Sequence, residues 1–153
     1  MLLMVRKYAR MKMEIIMESW SIDCKYDQTE LARESLNTPV LHNKYYKILM
    51  GERAVLFRLK SKVKQTKRML MEYYSGDLND PETLNDINRE VWAKRVLKSD
   101  LDTYIDSDSE MIQELLNLAL QEEKVDYLIA IVDRIKQRGW EVRNAIEWNK
   151  FTQ

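Results

Sequence analysis

Leu49, Leu56, Val63 and Leu70 recur every seven residues, and Glu52, Leu59, Thr66 and Tyr73 fill the companion position of the same repeat. That spacing keeps a narrow apolar stripe on one side of a helix, with two polar members in it, and a stripe of this kind needs a second helix to cover it. Little in the chain interrupts helices. Its 153 residues include three glycines and two prolines, whereas an all-β chain requires frequent turn residues. The fold class is therefore all-α, and 33% charged residues with a mean hydropathy of −0.52 point to an elongated helical protomer.

The pattern divides into segments. Ile15, Ile16 and Trp20 predict a short first helix from Met13 to Trp20, broken across Asp23 to Asp27. Thr38 as cap and Pro39 at the first turn open a long basic helix from about Pro39 to Tyr74, stopped by Ser75 and Gly76. Asp80 and Pro81 open a third helix to about Lys98, and Ser107 with Glu110 reads as a capping box before a long fourth helix. Gly139 ends that helix, and a short amphipathic one follows. Residues 1–12 lack helical patterning and read as an upstream extension. Residues 13–153 then form one domain, with an N-terminal part over 13–76 and a C-terminal part over 77–153.

A net charge of zero hides strong polarity. From Lys44 to Leu70 there are nine basic residues and one acid, Glu52, whereas Glu72 to Asp133 holds sixteen acids and five bases. A basic block on an otherwise acidic chain is the footprint of a polyanion, and nucleic acid is the commonest one. The candidate DNA-binding residues are Arg53, Arg58, Lys60, Lys62, Lys64, Lys67 and Arg68, with Tyr73 and Tyr74 as stacking faces for bases. Arg53, Lys60 and Lys67 share one heptad position with Lys64 alongside, and the pattern shows no intrahelical acid to neutralise them. The fourth helix carries two apolar rows, more than one partner helix fills, which implies two neighbours or an oligomer. Leu115, Leu118, Val125, Leu128, Ile129, Val132 and Ile135, then Val142, Ile146, Trp148 and Phe151, are therefore candidate oligomerisation residues.

Several chemistries have no support. Gly51, Gly76 and Gly139 are isolated, so no phosphate loop forms, and the single Cys24 and single His42 cannot build a metal site or an intramolecular disulfide. The acidic run from Asp100 to Glu110 lacks the turn glycine and spacing of a calcium loop. No cofactor and no enzyme activity are expected. No apolar run reaches membrane-spanning length, and Leu2 to Val5 precedes Arg6 and Lys7, the reverse of a signal peptide. A cytosolic chain without a membrane partner is the expectation.

The string Tyr73-Tyr74-Ser75-Gly76, then Val96-Leu97 followed by Asp100, Asp102 and Asp106, the turn Arg138-Gly139-Trp140 and the terminal Phe151 resemble the UvsY family. These are recombination mediators of T-even-like phages. The similarity spans about Met13 to Phe151, and Asp23 to Asp27 with His42-Asn43-Lys44-Tyr45-Tyr46 is similar to versions from phages of cyanobacteria. The resemblance implies a non-enzymatic helical protein in the cytoplasm of the infected bacterial host. It also implies single-stranded DNA as a partner, a ring-shaped homo-oligomer (hexamer or heptamer) built by the C-terminal helices, and loading of the phage RecA-like recombinase onto DNA covered by phage single-strand DNA-binding protein. The family's DNA-contacting basic residues lie just ahead of the Tyr-Tyr-Ser-Gly string, which falls here on Arg68 and, at a second position, on Leu70, with Lys64 and Lys67 one turn upstream as replacement charge. Two rival readings remain: a structural coiled-coil adaptor without DNA binding, and a small transcription regulator, which would want a helix-turn-helix that the sequence lacks.

Overall fold

The structure, a computed structural model, describes residues 12–152. The upstream stretch expected at 1–12 lies outside the described residues except for Lys12. Five helices and no strand occur among the described residues: α1 (Met13–Asp23), α2 (Leu31–Ser75), α3 (Pro81–Asp86), α4 (Leu101–Asp106) and α5 (Ser109–Thr152). The chain forms two compact units. Residues 12–56 with 121–152 make the first, and Phe57–Leu120 makes the second.

In the first unit, α1 and the early part of α2 close over the later part of α5. Ile16, Leu41, Tyr45, Ile48, Leu49, Val125, Leu128, Ile131, Val132 and Ile135 form its core. Trp20 meets Tyr45 edge to face at 5.4 Å, and the Tyr45 hydroxyl donates to Asp23 at 2.9 Å. Val125, Leu128, Val132 and Ile135 come from the apolar rows assigned above to subunit contact. Here they are buried within one chain, and Val142 is also only 2% exposed. The apolar rows find their second neighbour in the chain's own N-terminal part, so these five residues leave the oligomerisation set. Leu118, Ile129 and Ile146 are half-buried, while Leu115, Trp148 and Phe151 are exposed.

The charged member of the seam is accommodated by partners. Glu52 is fully buried, and the Gln121 amide donates to its carboxylate at 2.6 Å and to its carbonyl at 3.0 Å, with the Lys124 ammonium 3.3 Å from the same carboxylate oxygen. A carboxylate taken out of water requires such partners.

The long basic helix starts earlier than its sequence signals. Leu31, not Pro39, opens α2, and the Thr38 hydroxyl donates to the Glu34 carbonyl instead of capping a helix start. Pro39 forfeits one backbone bond inside the helix. The first turn is held from outside: the Arg138 guanidinium, 3% exposed, pairs with Glu34 and donates to the carbonyls of Asp23 and Lys25.

Turn chemistry decides the second unit. Gly76 takes φ +85° after Ser75, the stop expected from the sequence. Asp80 accepts from the Thr83 N–H at 2.9 Å with Pro81 behind it, so the predicted cap forms, but α3 ends at Asp86 instead of near Lys98. Asn88 adopts φ +54°, with the Arg89 N–H on the Leu84 carbonyl (2.9 Å) and the Asn88 N–H on the Asn85 carbonyl (3.0 Å), a Schellman termination that uses asparagine in place of glycine. The expected capping box shifts as well. Ser107 donates to the Thr103 carbonyl and closes α4, while Asp108 accepts the Glu110 N–H at 2.9 Å at the head of α5.

Gly139 does not stop α5, which runs on to Thr152 and absorbs the separate final helix, with buried Val142 anchoring the extension. A Cβ added at Gly139 meets nothing within 4 Å. Gly139→Ala is therefore expected to stabilise the protein by about 0.5–1 kcal/mol, whereas Gln121→Leu, which strips the buried Glu52 of its main donor, should cost about 2 kcal/mol. Urea unfolding midpoints of the two variants, moving in opposite directions, check both.

Candidate nucleic-acid interface

Within the second unit, α2 turns one face inward. Val63, Thr66, Leu70 and Tyr73 pack toward a core shared with Tyr74, Leu84, Ile105 and Met111. At 100° per residue, Lys60, Lys64, Lys67 and Arg68 lie at i, i+4, i+7 and i+8 on a face turned away from that seam. All four are exposed. They are the predicted residues that the helix brings together.

Their neighbours are partly acidic. The Lys67 ammonium lies 3.6 Å from Asp102, and the Arg68 guanidinium lies 3.0 Å from Glu72, its i+4 partner. The expectation that no intrahelical acid faces the stripe is thus corrected by Glu72. Exposed pairs of this kind contribute about 0–1 kcal/mol and are screened by salt, so a phosphate can displace them.

Other candidates fall elsewhere. Lys62, on the opposite flank, lies 2.5 Å from Glu114, whose side chain is 8% exposed, and so serves the unit's own packing. Arg58, one turn earlier, shares that flank and is exposed. Arg53 is exposed on the part of α2 that belongs to the first unit. Leu70 is fully buried, so the position that the family resemblance matched to a basic residue is core here.

Tyr73 and Tyr74 are not stacking faces. Both are buried in a box with Trp92 and Tyr104, with Tyr74 edge-on to Trp92 at 4.7 Å. The Tyr73 hydroxyl donates to the Glu90 carbonyl at 2.9 Å, and the Tyr74 hydroxyl donates to Asp108 at 2.7 Å. Asp108 also receives both terminal nitrogens of Arg89, at 2.8 and 2.9 Å, and Arg89 reaches Glu110 at 3.1 Å. This buried network went unseen in the sequence. Asn88 was its signal, because the left-handed turn there reverses the chain and delivers Arg89.

Sequence reading also missed Phe57 and Met71, which lie on the lysine face and are 74% and 43% exposed. Among the described residues no group of His, Cys, Asp and Glu could hold a metal ion, and no helix is long and apolar enough to cross a membrane. Cys24 donates to the Ser21 carbonyl and His42 stacks on Tyr46.

An all-α chain with a row of exposed cations along one face of a long helix fits the class of helical proteins that meet a polyanion by charge. Comparison with known proteins narrows the class. The family of "recombination, repair and ssDNA binding protein UvsY" matches residues 19–153, and the chain belongs to it. The recombination protein uvsY of Enterobacteria phage T4 is 23% identical over 141 residues, covering 92% of this chain and 97% of that protein. Two crystal structures of the bacteriophage T4 recombination mediator protein UvsY superpose with a TM-score of 0.80. The lattice type IV form is 20% identical and covers 92% of this chain and 99% of its own, and the lattice type II form is 22% identical and covers 94% and 98%. The expected family and the all-α fold are thereby established.

Burial pushes the Asp108 carboxyl up, but hydrogen bonds from Arg89, Tyr74 and the Glu110 N–H outweigh it and hold the group at about 2, below its ordinary 3.8. A depressed carboxylate contributes stability above its unfolded value and loses it as pH falls through the folded one. The wild type should therefore lose about 2 kcal/mol between about pH 4 and pH 2 through this group. Asp108→Asn should be less stable at neutral pH and show a flatter acid limb, read from thermal midpoints across that range.

Proposed function

We propose that this chain is a phage recombination mediator that binds single-stranded DNA through the α2 cation face and loads the phage RecA-like recombinase onto DNA covered by the phage single-strand DNA-binding protein. Membership of the UvsY family supports the reading. The observation that carries it to particular residues is the exposed face of Lys60, Lys64, Lys67 and Arg68 in the second unit.

Each cation that meets a phosphate releases condensed counterions, so binding is expected to be salt-dependent and indifferent to sequence. One such face makes few contacts. A ring of six or seven subunits presents several of them to one flexible strand, and the high effective concentration turns weak contacts into useful avidity. Contact with DNA then falls to residues before 77 and assembly to residues after it, in the cytoplasm of the infected host. Of the residues expected at subunit contacts, Leu115, Trp148 and Phe151 remain exposed, with Leu118, Ile129 and Ile146 half-buried. The acidic residues that dominate after Glu72 would keep DNA off other surfaces and offer the recombinase a surface complementary to its own basic groove.

Replacing Lys60, Lys64, Lys67 and Arg68 together by glutamate should abolish binding to oligo-dT while circular dichroism and native mass stay unchanged. Equal affinity of the wild type and the variant in a filter-binding titration would refute the assignment. Trp148→Ala with Phe151→Ala should lower the native mass and, by lost avidity, weaken DNA binding at least tenfold although every stripe cation remains. A large assembly that persists in that double variant at high salt would place the interface elsewhere.

A further inference from the structure

We infer that Phe57 is a base-stacking residue, so that the α2 face reads unstacked bases as well as phosphates. The inference rests on the proposed binding of single-stranded DNA and adds a residue whose chemistry distinguishes single strands from duplex. Within the second unit the aromatic side chains are otherwise gathered in: Tyr73 and Tyr74 are 7% and 8% exposed, and Trp92 and Tyr104 pack against them. Phe57 is 74% exposed, and it is the one exposed aromatic side chain among the described residues of that unit.

Its position gives the exposure meaning. A solitary apolar residue on a surface is ordinary and needs no explanation. Phe57, however, lies at i−3 from Lys60 and i−7 from Lys64, so its ring stands on the same helix face as these cations, at the start of the row that continues to Lys67 and Arg68. Lysines on that face fix the phosphates of a strand. Its bases are then left beside the helix with their faces unsatisfied, and a phenyl ring offers a flat apolar surface with few torsions to freeze. Base-on-aromatic stacking tolerates any sequence because every base has a π face, and it is the usual companion of a cationic track in single-strand binders. A duplex offers phosphates but hides its base faces in the stack, so the ring gains nothing from it. Charge on the face makes nucleic acid its occupant in preference to the apolar surface of another subunit.

The test uses the full chain with three probes at several salt concentrations: oligo-dT, the same strand with abasic sites, and a duplex of equal length. Phe57→Ala should lower oligo-dT affinity about tenfold, the loss of roughly one stacked base, with the salt slope, native mass and duplex affinity unchanged. Phe57→Trp should restore binding, Phe57→Leu should not, and abasic sites should weaken the wild type but leave Phe57→Ala indifferent. Overturning results are Phe57→Leu binding like the wild type, a variant whose slope or mass changes, or a wild type as tight on the abasic strand as on oligo-dT. A wild type with no salt-dependent affinity for any strand would instead defeat the proposed DNA binding itself, which separates the two failures.

Discussion

Everything in this chain is arranged around one constraint: α2 carries an apolar seam too narrow to be stable alone and must keep it covered along its length. An isolated helix draws little stability from its own backbone bonds, so packing of the seam is what holds it. The chain solves this twice with different material. Around Leu49 it uses α1 and the later part of α5, giving a core of aliphatic residues and Tyr45. Around Leu70 it uses short helices and an irregular segment, from which Trp92 and Tyr104 pack on the helix's own Tyr73 and Tyr74. Because the seam occupies one side, the remaining circumference is left for charge. The lysine row is as much a result of that geometry as the cores are.

Charge is sorted by the same rule. Cations with structural work are held by acids of low exposure, as Lys62 is by Glu114 and Arg89 by Asp108. On the lysine row the pairs are looser, with Asp102 and Glu72 themselves 76% and 45% exposed. Pairs of the first kind are costly to break, and pairs of the second kind are exchangeable. The distinction leaves one basic helix with both a cation held in packing and a row of cations whose pairs are exchangeable.

Features written in local chemistry were legible in the sequence. The heptad of Leu49, Leu56, Val63 and Leu70, the Gly76 stop, the Asp80 cap with Pro81 and the face shared by Lys60, Lys64 and Lys67 all depend on neighbours a few residues away. What failed depended on distant partners. Thr38-Pro39 carries the signature of a helix start, but Arg138, a hundred residues later, holds Glu34 and keeps the preceding turns helical. Gly139 looks like a terminator until Val142 is seen to be buried. Tyr73 and Tyr74 looked available because nothing nearby covers them, and the residues that do, Trp92 and Tyr104, lie well beyond them along the chain. The apolar rows of α5 suggested neighbouring subunits for the same reason: the N-terminal helices that fill them lie far away in sequence.

Glu52 has a consequence for alignment. A repeating apolar seam is degenerate, since sliding one helix past the other by seven residues, about 10 Å, still brings aliphatic side chains together. The buried carboxylate removes that degeneracy. In the native alignment it meets Gln121 and Lys124, whereas one repeat further along α5 the corresponding positions are Leu128 and Ile131, which offer it no hydrogen. A pairing slipped in that direction would strand a charge in hydrocarbon, and so a residue that adds little cohesion of its own acts as a notch against it.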